Sequence, residues 1–269
     1  MVGKRMTDKG RGRSVRLLAG LLVLGLVLAT VPATPVLAAS QKTGWATKSG
    51  KKYYYKKGKK VKGWKKIGSY TYFFDSKGVM QTNKIVGNSK GIHYVGKDGI
   101  RCKDTAIEVA KNLVLELTDN SMSRREKLET VYSYLVYDCS YLSDYYVLAP
   151  VNFSYMARRM ASRHGGDCYE GALLMVYVAR VLGYTGRMER GYVDSNLYPS
   201  QVGYLAYTAG NEHGWPEIKV SGSYLVYDIS MQRAYSARLH GITRRSYPYA
   251  IRSVGEYKMK VSKGRVIWY

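Results

Sequence analysis

Between residues 44 and 103 the chain returns to one pattern about every 20 residues, and that period limits what the stretch can become. Gly58, Gly78 and Gly99 follow one another at steps of 20 and 21, and Trp45 and Trp64 are 19 apart, with Ile85 in the equivalent place 21 further on. Aromatic clusters fall between them at Tyr53-Tyr54-Tyr55, Tyr72-Phe73-Phe74 and His93-Tyr94. A period this short cannot make a domain; it suits one β-hairpin per repeat, with aromatic strands followed by Gly-containing turns such as Ser76-Lys77-Gly78. A lone hairpin is marginal in water, so successive units must bury one another's aromatic faces and stack as a solenoid.

The same stretch concentrates the charge. The chain has a formal charge of +24; residues 40–103 carry 17 Lys and Arg against 2 acidic residues, whereas residues 104–269 carry 20 against 16. Ahead of it, Lys4, Arg5, Lys9, Arg11, Arg13 and Arg16 precede an apolar run over 17–29, short for a bilayer span, and Val36-Leu37-Ala38-Ala39 has the small residues a signal peptidase accepts. We read 1–39 as a signal peptide, with an uncleaved anchor as the alternative, and expect a secreted, cell-wall-associated protein with no stable membrane span after cleavage. Outside a cell, a dense cationic surface meets wall polymers and phospholipid head groups more readily than nucleic acid. No zinc knuckle, helix-turn-helix or other nucleic-acid motif is present, so no nucleic-acid partner is expected.

The run Gly63-Trp64-Lys65-Lys66-Ile67-Gly68-Ser69-Tyr70-Thr71-Tyr72-Phe73-Phe74-Asp75-Ser76-Lys77-Gly78-Val79-Met80 resembles a cell-wall-binding repeat of the choline-binding type. The resemblance covers about 60 residues in three units, of which the middle one matches best. It implies aromatic cages for choline on teichoic acid, with Trp45, Tyr54, Trp64, Tyr72 and Phe73 as the wall-polymer-binding residues. Ile85 stands where the third unit would have Trp, so a complete cage is expected only between the first two units. The surrounding lysines repel a quaternary ammonium and attract the phosphates beside it, so binding to an anionic wall polymer should weaken with salt.

From Asp104 the lysines thin out and helical periodicity begins, which places a domain boundary near residue 103 and leaves 104–269 as one domain. Residues 105–117 put Ile107, Ala110, Leu113, Val114 and Leu117 on one stripe; a second helix capped by Asn120 or Ser121 follows, with Leu128, Val131, Tyr132 and Leu135 on one face. A short third helix is expected between 152 and 161, and a long one over 168–182, ended by Gly183. Strands are expected at 187–193, 215–220, 224–229, 257–261 and 265–269. Helices first and an antiparallel sheet afterwards make an α+β domain.

Three short stretches supply a thiol, an imidazole and a carboxylate: Gly166-Asp167-Cys168, Glu212-His213-Gly214-Trp215-Pro216-Glu217 and Tyr227-Asp228. Cys168 stands at the first turn of its helix, where unpaired amides and the positive dipole end favour thiolate over thiol. If Ser221-Gly222 is a hairpin turn, position i faces position 443 − i; His213 then faces Ser230 and lies diagonally across from Asp228 on the same face. Asp228 would hold His213, and His213 would exchange a proton with Cys168. Pro216 within a strand calls for an edge or a bulge.

This order, with Gly-x-Cys at a helix start, His-x-Trp-x-Glu on a strand and Asp on the next, resembles the transglutaminase-like superfamily over roughly 125–232. The resemblance implies a papain-like core, the nucleophile-bearing helix packed on an antiparallel sheet, and thiol attack on a carboxamide or peptide carbonyl. Catalytic residues would be Cys168, His213 and Asp228, with Tyr141 and Trp215 supporting the site and a peptide or protein as substrate. Family members commonly carry Ala or a bulkier residue where this chain has Gly214. Acyl transfer and hydrolysis stay open, as does the alternative of a catalytically idle wall-anchored scaffold. His164 is a rival partner for Cys168 but reads as a structural loop residue; His93 and His240 read as structural too. Three cysteines leave one over, and a Cys102–Cys139 disulfide with Cys168 as the free thiol stays open. No Cys-x-x-Cys or His-x-x-x-His pair occurs, so neither a metal nor another cofactor is expected.

Overall fold

The structure is a computed structural model that describes residues 42–143, 148–200 and 212–269. The expected signal segment 1–39 lies outside the described residues. The repeat region forms three antiparallel hairpins: β1 (Gly44–Lys48) with β2 (Lys51–Lys56), β4 (Gly63–Ile67) with β5 (Tyr70–Phe74), and β6 (Lys84–Asn88) with β7 (Gly91–Val95); the two-residue β3 (Lys59–Lys60) extends the first. Within the first hairpin the turn is Ser49-Gly50, both at positive φ, which suits the twist of a tight hairpin. The periodic Gly78 and Gly99, each at φ +78°, sit instead in the turns after β5 and β7. From there the chain bonds back one unit, Met80 N–H to the Lys52 carbonyl and Arg101 N–H to that of Thr71, at 2.8 Å each.

The remainder is α+β. Helix α1 (Thr105–Leu117) is capped by Asp104, whose carboxylate accepts from the Ala106 and Ile107 amides. Helix α2 (Arg124–Tyr137) starts at Ser123, not at Asn120 or Ser121. Glu126 three residues after Ser123 completes a capping box, while Ser121 is engaged with the Asp119 carboxylate. The short β8 (Ser140–Tyr141) pairs in parallel with β9 (Gly165–Gly166), on either side of α3 (Phe153–Arg163). Helix α4 (Cys168–Val181) is buried at every residue, and Gly183, at φ +84°, follows its end.

Strands β10 (Thr185–Asp194), β11 (Glu212–Val220), β12 (Ser223–Tyr227), β13 (His240–Ile242), β14 (Ala250–Ser262) and β15 (Arg265–Trp268) form one antiparallel sheet in the order β13-β12-β11-β10-β14-β15. Helix α4 packs on β10 and β11 and is flanked by α1 and α3. The β11–β12 register keeps the 443 − i rule, from Glu217 opposite Val226 to Val220 opposite Ser223. There the ladder stops. Pairing with β11 ends at Val226, Gly241 of β13 bulges opposite Val226/Tyr227, and Asp228 becomes the N-cap of a short helix, α5 (Ile229–Ala234), instead of a strand residue. Ser230 therefore lies in α5, and His213 pairs with Gly191 of β10. Pro216 sits just outside the pairing with β12, which starts at Glu217, where a missing N–H is least costly in an interior strand.

The third hairpin shares the main core. Tyr94 and Cys102 are fully buried in the same cluster as Leu128, Leu173 and Met175. The Tyr94 hydroxyl donates to Asn83, whose side-chain amide donates to the Gly183 carbonyl. Lys111 reaches from α1 to the Ile92 carbonyl at 3.0 Å. Cys102 and Cys139 are both free, so the disulfide left open by the sequence is absent. Burial pushes both thiols up, Cys102 to about 12.

Candidate active site

Cys168 is the first residue of α4, preceded by Asp167, which caps the helix reciprocally with Glu170. Glu170 is fully buried; burial raises its carboxyl, and Arg159 partly offsets that through a 2.5 Å contact. The β8–β9 pairing sets Tyr141 opposite Gly166, beside the start of α4. Burial, then the nearby Cys168 sulfur, push the Tyr141 hydroxyl up to about 12, although the residue is half exposed.

His213 enters from β11 and bonds Asp228 through Nε2, 2.9 Å from Oδ2. The Cys168 sulfur lies near enough to the ring to favour its charged form. With Nε2 committed to Asp228, Nδ1 is the nitrogen left for the sulfur. Burial opposes a charged ring here, but the Asp228 carboxylate, its hydrogen bond and the Cys168 sulfur outweigh it and hold His213 up to about 10.

Asp228 is fully buried and saturated. Oδ2 accepts from His213 and from the Tyr247 hydroxyl at 2.7 Å, Oδ1 accepts from the Met231 amide, and the Asp228 carbonyl accepts from Tyr132 at 2.9 Å. Trp215, two residues beyond His213 and so on the same face of β11, stacks on the imidazole with centroids 5.9 Å apart and planes 19° from parallel. Its indole N–H donates to Glu217 at 3.2 Å. Glu217 and Glu189 are buried, and both are held by Arg187 and Arg244 at 2.7–2.9 Å. Arg244 also lies over the Trp215 ring, 5.7 Å from its centroid.

The structure thus gathers Cys168, His213, Asp228, Trp215 and Tyr141 around one end of α4. His164 is elsewhere: it closes α3 at φ 48° and bonds the Tyr134 hydroxyl at 2.8 Å. His93 bonds Glu108, and His240 bonds Gln232. Sequence reasoning missed Tyr247, Arg187 and Arg244. Tyr247 follows a single 3₁₀ turn with no motif around it, Arg244 opens that turn, and Arg187 is a strand charge like many others. Among the described residues, no group of three or more His, Cys, Asp or Glu is arranged to hold a metal ion.

In the repeats, Trp45 packs edge-on against Tyr54 and Tyr72, with centroids at 5.3 and 4.9 Å. Trp45, Tyr72, Met80, Lys52 and Asp98 line a cavity of about 270 Å³. Trp64 contacts Phe73 and His93 at 5.0 and 5.4 Å and donates its indole N–H to the Gly91 carbonyl.

Comparison with known proteins assigns the class. Residues 111–229 match the transglutaminase-like superfamily, and residues 61–105 match the choline-binding repeat. The chain therefore carries a repeat region of the choline- or cell-wall-binding kind followed by a transglutaminase-like superfamily domain. Among solved structures, the choline-binding domain of Spr1274 from Streptococcus pneumoniae is 27% identical over 23% of this chain and 94% of that one, with a TM-score of 0.21. A putative cysteine protease from Cytophaga hutchinsonii is 14% identical over 58% of this chain and 50% of that one, with a TM-score of 0.35. The periplasmic domain of TgpA from Pseudomonas aeruginosa, bound to ethylmercury, is 18% identical over 48% and 45%, with a TM-score of 0.32. The chain thus spans about half the length of the latter two. No curated protein matches. No helix among the described residues is long and apolar enough to cross a membrane.

Proposed function

We propose that this is a secreted, wall-associated cysteine enzyme acting on peptide or carboxamide bonds. It would comprise a signal peptide over 1–39, a wall-binding hairpin solenoid over 40–103 and a catalytic domain over 104–269. The observation that carries this reading is His213, bonded to buried Asp228 through one ring nitrogen and close enough to Cys168 for the sulfur to favour its charged form. Asp228 fixes the ring and stabilises its charge; the imidazole beside the sulfur is the group that activates it as a nucleophile. The thiolate attacks the carbonyl carbon, a C–S bond forms and the oxygen takes the negative charge. Collapse of this intermediate breaks the C–N bond, and the departing nitrogen takes the His213 proton. Water or an amine, losing a proton to His213, then attacks the thioester carbonyl, and C–S cleavage restores the thiolate.

The repeats would hold the enzyme at its substrate and raise its local concentration. The Trp45, Tyr72 and Met80 cavity suits a quaternary ammonium, and Asp98 at its wall supplies a negative charge that the lysine-rich sequence did not advertise. The lysines would meet the phosphates of the same polymer. The test is incubation of the protein with purified wall and an amine donor, followed by mass spectrometry of the wall peptides. Amine incorporation or bond cleavage by wild type, absent in Cys168→Ala, supports the reading; unchanged peptides with wild type favour an idle scaffold.

A further inference from the structure

A cavity of about 370 Å³ opens beside His213, lined by Tyr141, Ser230, Met231, Arg233 and Tyr235. Two of its walls are donors without an acceptor. The Ser230 hydroxyl is buried and has no partner. Arg233 spends Nε on the Val136 carbonyl at 2.9 Å and Nη2 on that of Leu135 at 2.6 Å, which locks the guanidinium against the end of α2 and leaves Nη1 uncommitted. Among the described residues, no acidic side chain lines the cavity. Asp228, the nearest carboxylate to His213, is fully buried and saturated by His213, Tyr247 and the Met231 amide.

A buried hydroxyl with no partner is unfavourable, and a χ1 rotation toward the cavity lets an entering acceptor satisfy it. A fixed guanidinium beside it selects an anionic acceptor, and a carboxylate can take both donors at once. The cavity borders His213, the group that hands its proton to the leaving amine and takes one from an incoming amine. What occupies it is therefore attached to that amine.

We infer that this cavity is a subsite for a carboxylate carried by the amine partner, so that the protein releases or accepts an amino acid, or a peptide's terminal residue, with its carboxylate free. The inference rests on the proposed role of Cys168 and deepens it. Ser230 and Arg233 bind; they take no part in bond making.

The test compares alkylation of Cys168 by iodoacetate, an anion, with alkylation by iodoacetamide, its neutral counterpart; each forms a C–S bond and expels iodide. The full chain is used, and peptide mapping reads the site. The iodoacetate-to-iodoacetamide rate ratio should fall about 10-fold or more in Arg233→Gln and about 2- to 10-fold in Ser230→Ala, following the loss of a charged and a neutral hydrogen bond. Glycylglycine should protect wild-type Cys168 from iodoacetamide better than glycinamide does. A ratio unchanged in both variants overturns the subsite while leaving the nucleophile standing. Should Arg233→Gln not fold, Ser230→Ala decides alone. Failure of both reagents to modify wild-type Cys168 overturns the nucleophile reading and the subsite with it.

Discussion

The ring of Tyr169 occupies the place where a β-carbon on residue 214 would have to be: a carbon built there falls 2.2 Å from Tyr169 Cδ1 and 2.6 Å from Cε1. The residue after the nucleophile and the residue after the histidine are thus packed as one choice. Tyr169 is anchored by its hydroxyl, which donates to Glu212 Oε1 at 3.0 Å, and Arg190 holds the same oxygen at 2.8 Å. The glycine in the His-Gly-Trp stretch is explained by that ring.

Gly214→Ala should overpack this contact and lose about 1–3 kcal/mol of stability. In a Tyr169→Ala background the same change should have little effect, since the obstructing ring is gone. Denaturant titration of the four proteins checks this. Equal losses from Gly214→Ala in both backgrounds would mean that the β-carbon meets something else.

Asp228→Asn separates fold from chemistry. Asn caps a helix as well as Asp does, so α5 should persist, but the charge that holds His213 is lost. Activity should drop about 10³- to 10⁴-fold, with the circular dichroism spectrum retained. Asp228→Ala, which also strands Tyr247 and His213, should cost about 3–5 kcal/mol of stability.

His213 has its folded value raised from 6.5 to about 10, so the folded state binds the extra proton between those limits. The stability it contributes is complete below about pH 6.5, declines as pH rises through that interval, and is gone above about pH 10. Unfolding free energies from pH 6 to 11 should therefore fall more steeply in wild type than in His213→Gln. Parallel curves would remove the charged imidazole from the site.

Wall binding should have two separable parts. Salt should weaken the lysine contribution, and free choline should compete for the aromatic cavity. Trp45→Ala should reduce choline-sensitive binding of the full chain about 2- to 30-fold, the range of one cation–π contact. Sedimentation with purified wall reads both. Binding insensitive to salt would end the electrostatic account.

All three cysteines should titrate as thiols in denatured, unreduced protein. In the native state Cys102 and Cys139, both buried and raised, should stay silent near neutral pH while Cys168 reacts. Fewer than three thiols after denaturation would restore the disulfide.

Much of this molecule was written locally. The period near 20 marks the hairpins, because a strand-turn-strand unit repeats its own turn chemistry. The stripe on α1 and Gly183 at the end of α4 mark those helices, because propensity and capping act within one or two turns. The Ser221-Gly222 turn set the β11–β12 register, since a two-residue turn leaves no freedom of pairing.

What lay beyond reach depends on contacts between distant segments. Asp228 read as a strand residue by alternation, and only the end of the β11 pairing at Val226 and the start of α5 made it a helix cap while keeping its carboxylate on His213. Tyr247, 19 residues further on, and Arg233, which joins α5 to the end of α2 across 97 residues, carry no local signature. The sequence by itself determined which groups the protein possesses and which short elements bear them. Tertiary structure alone decided which of these groups share a space emptied of water, because burial and hydrogen-bond saturation are properties of the packed whole.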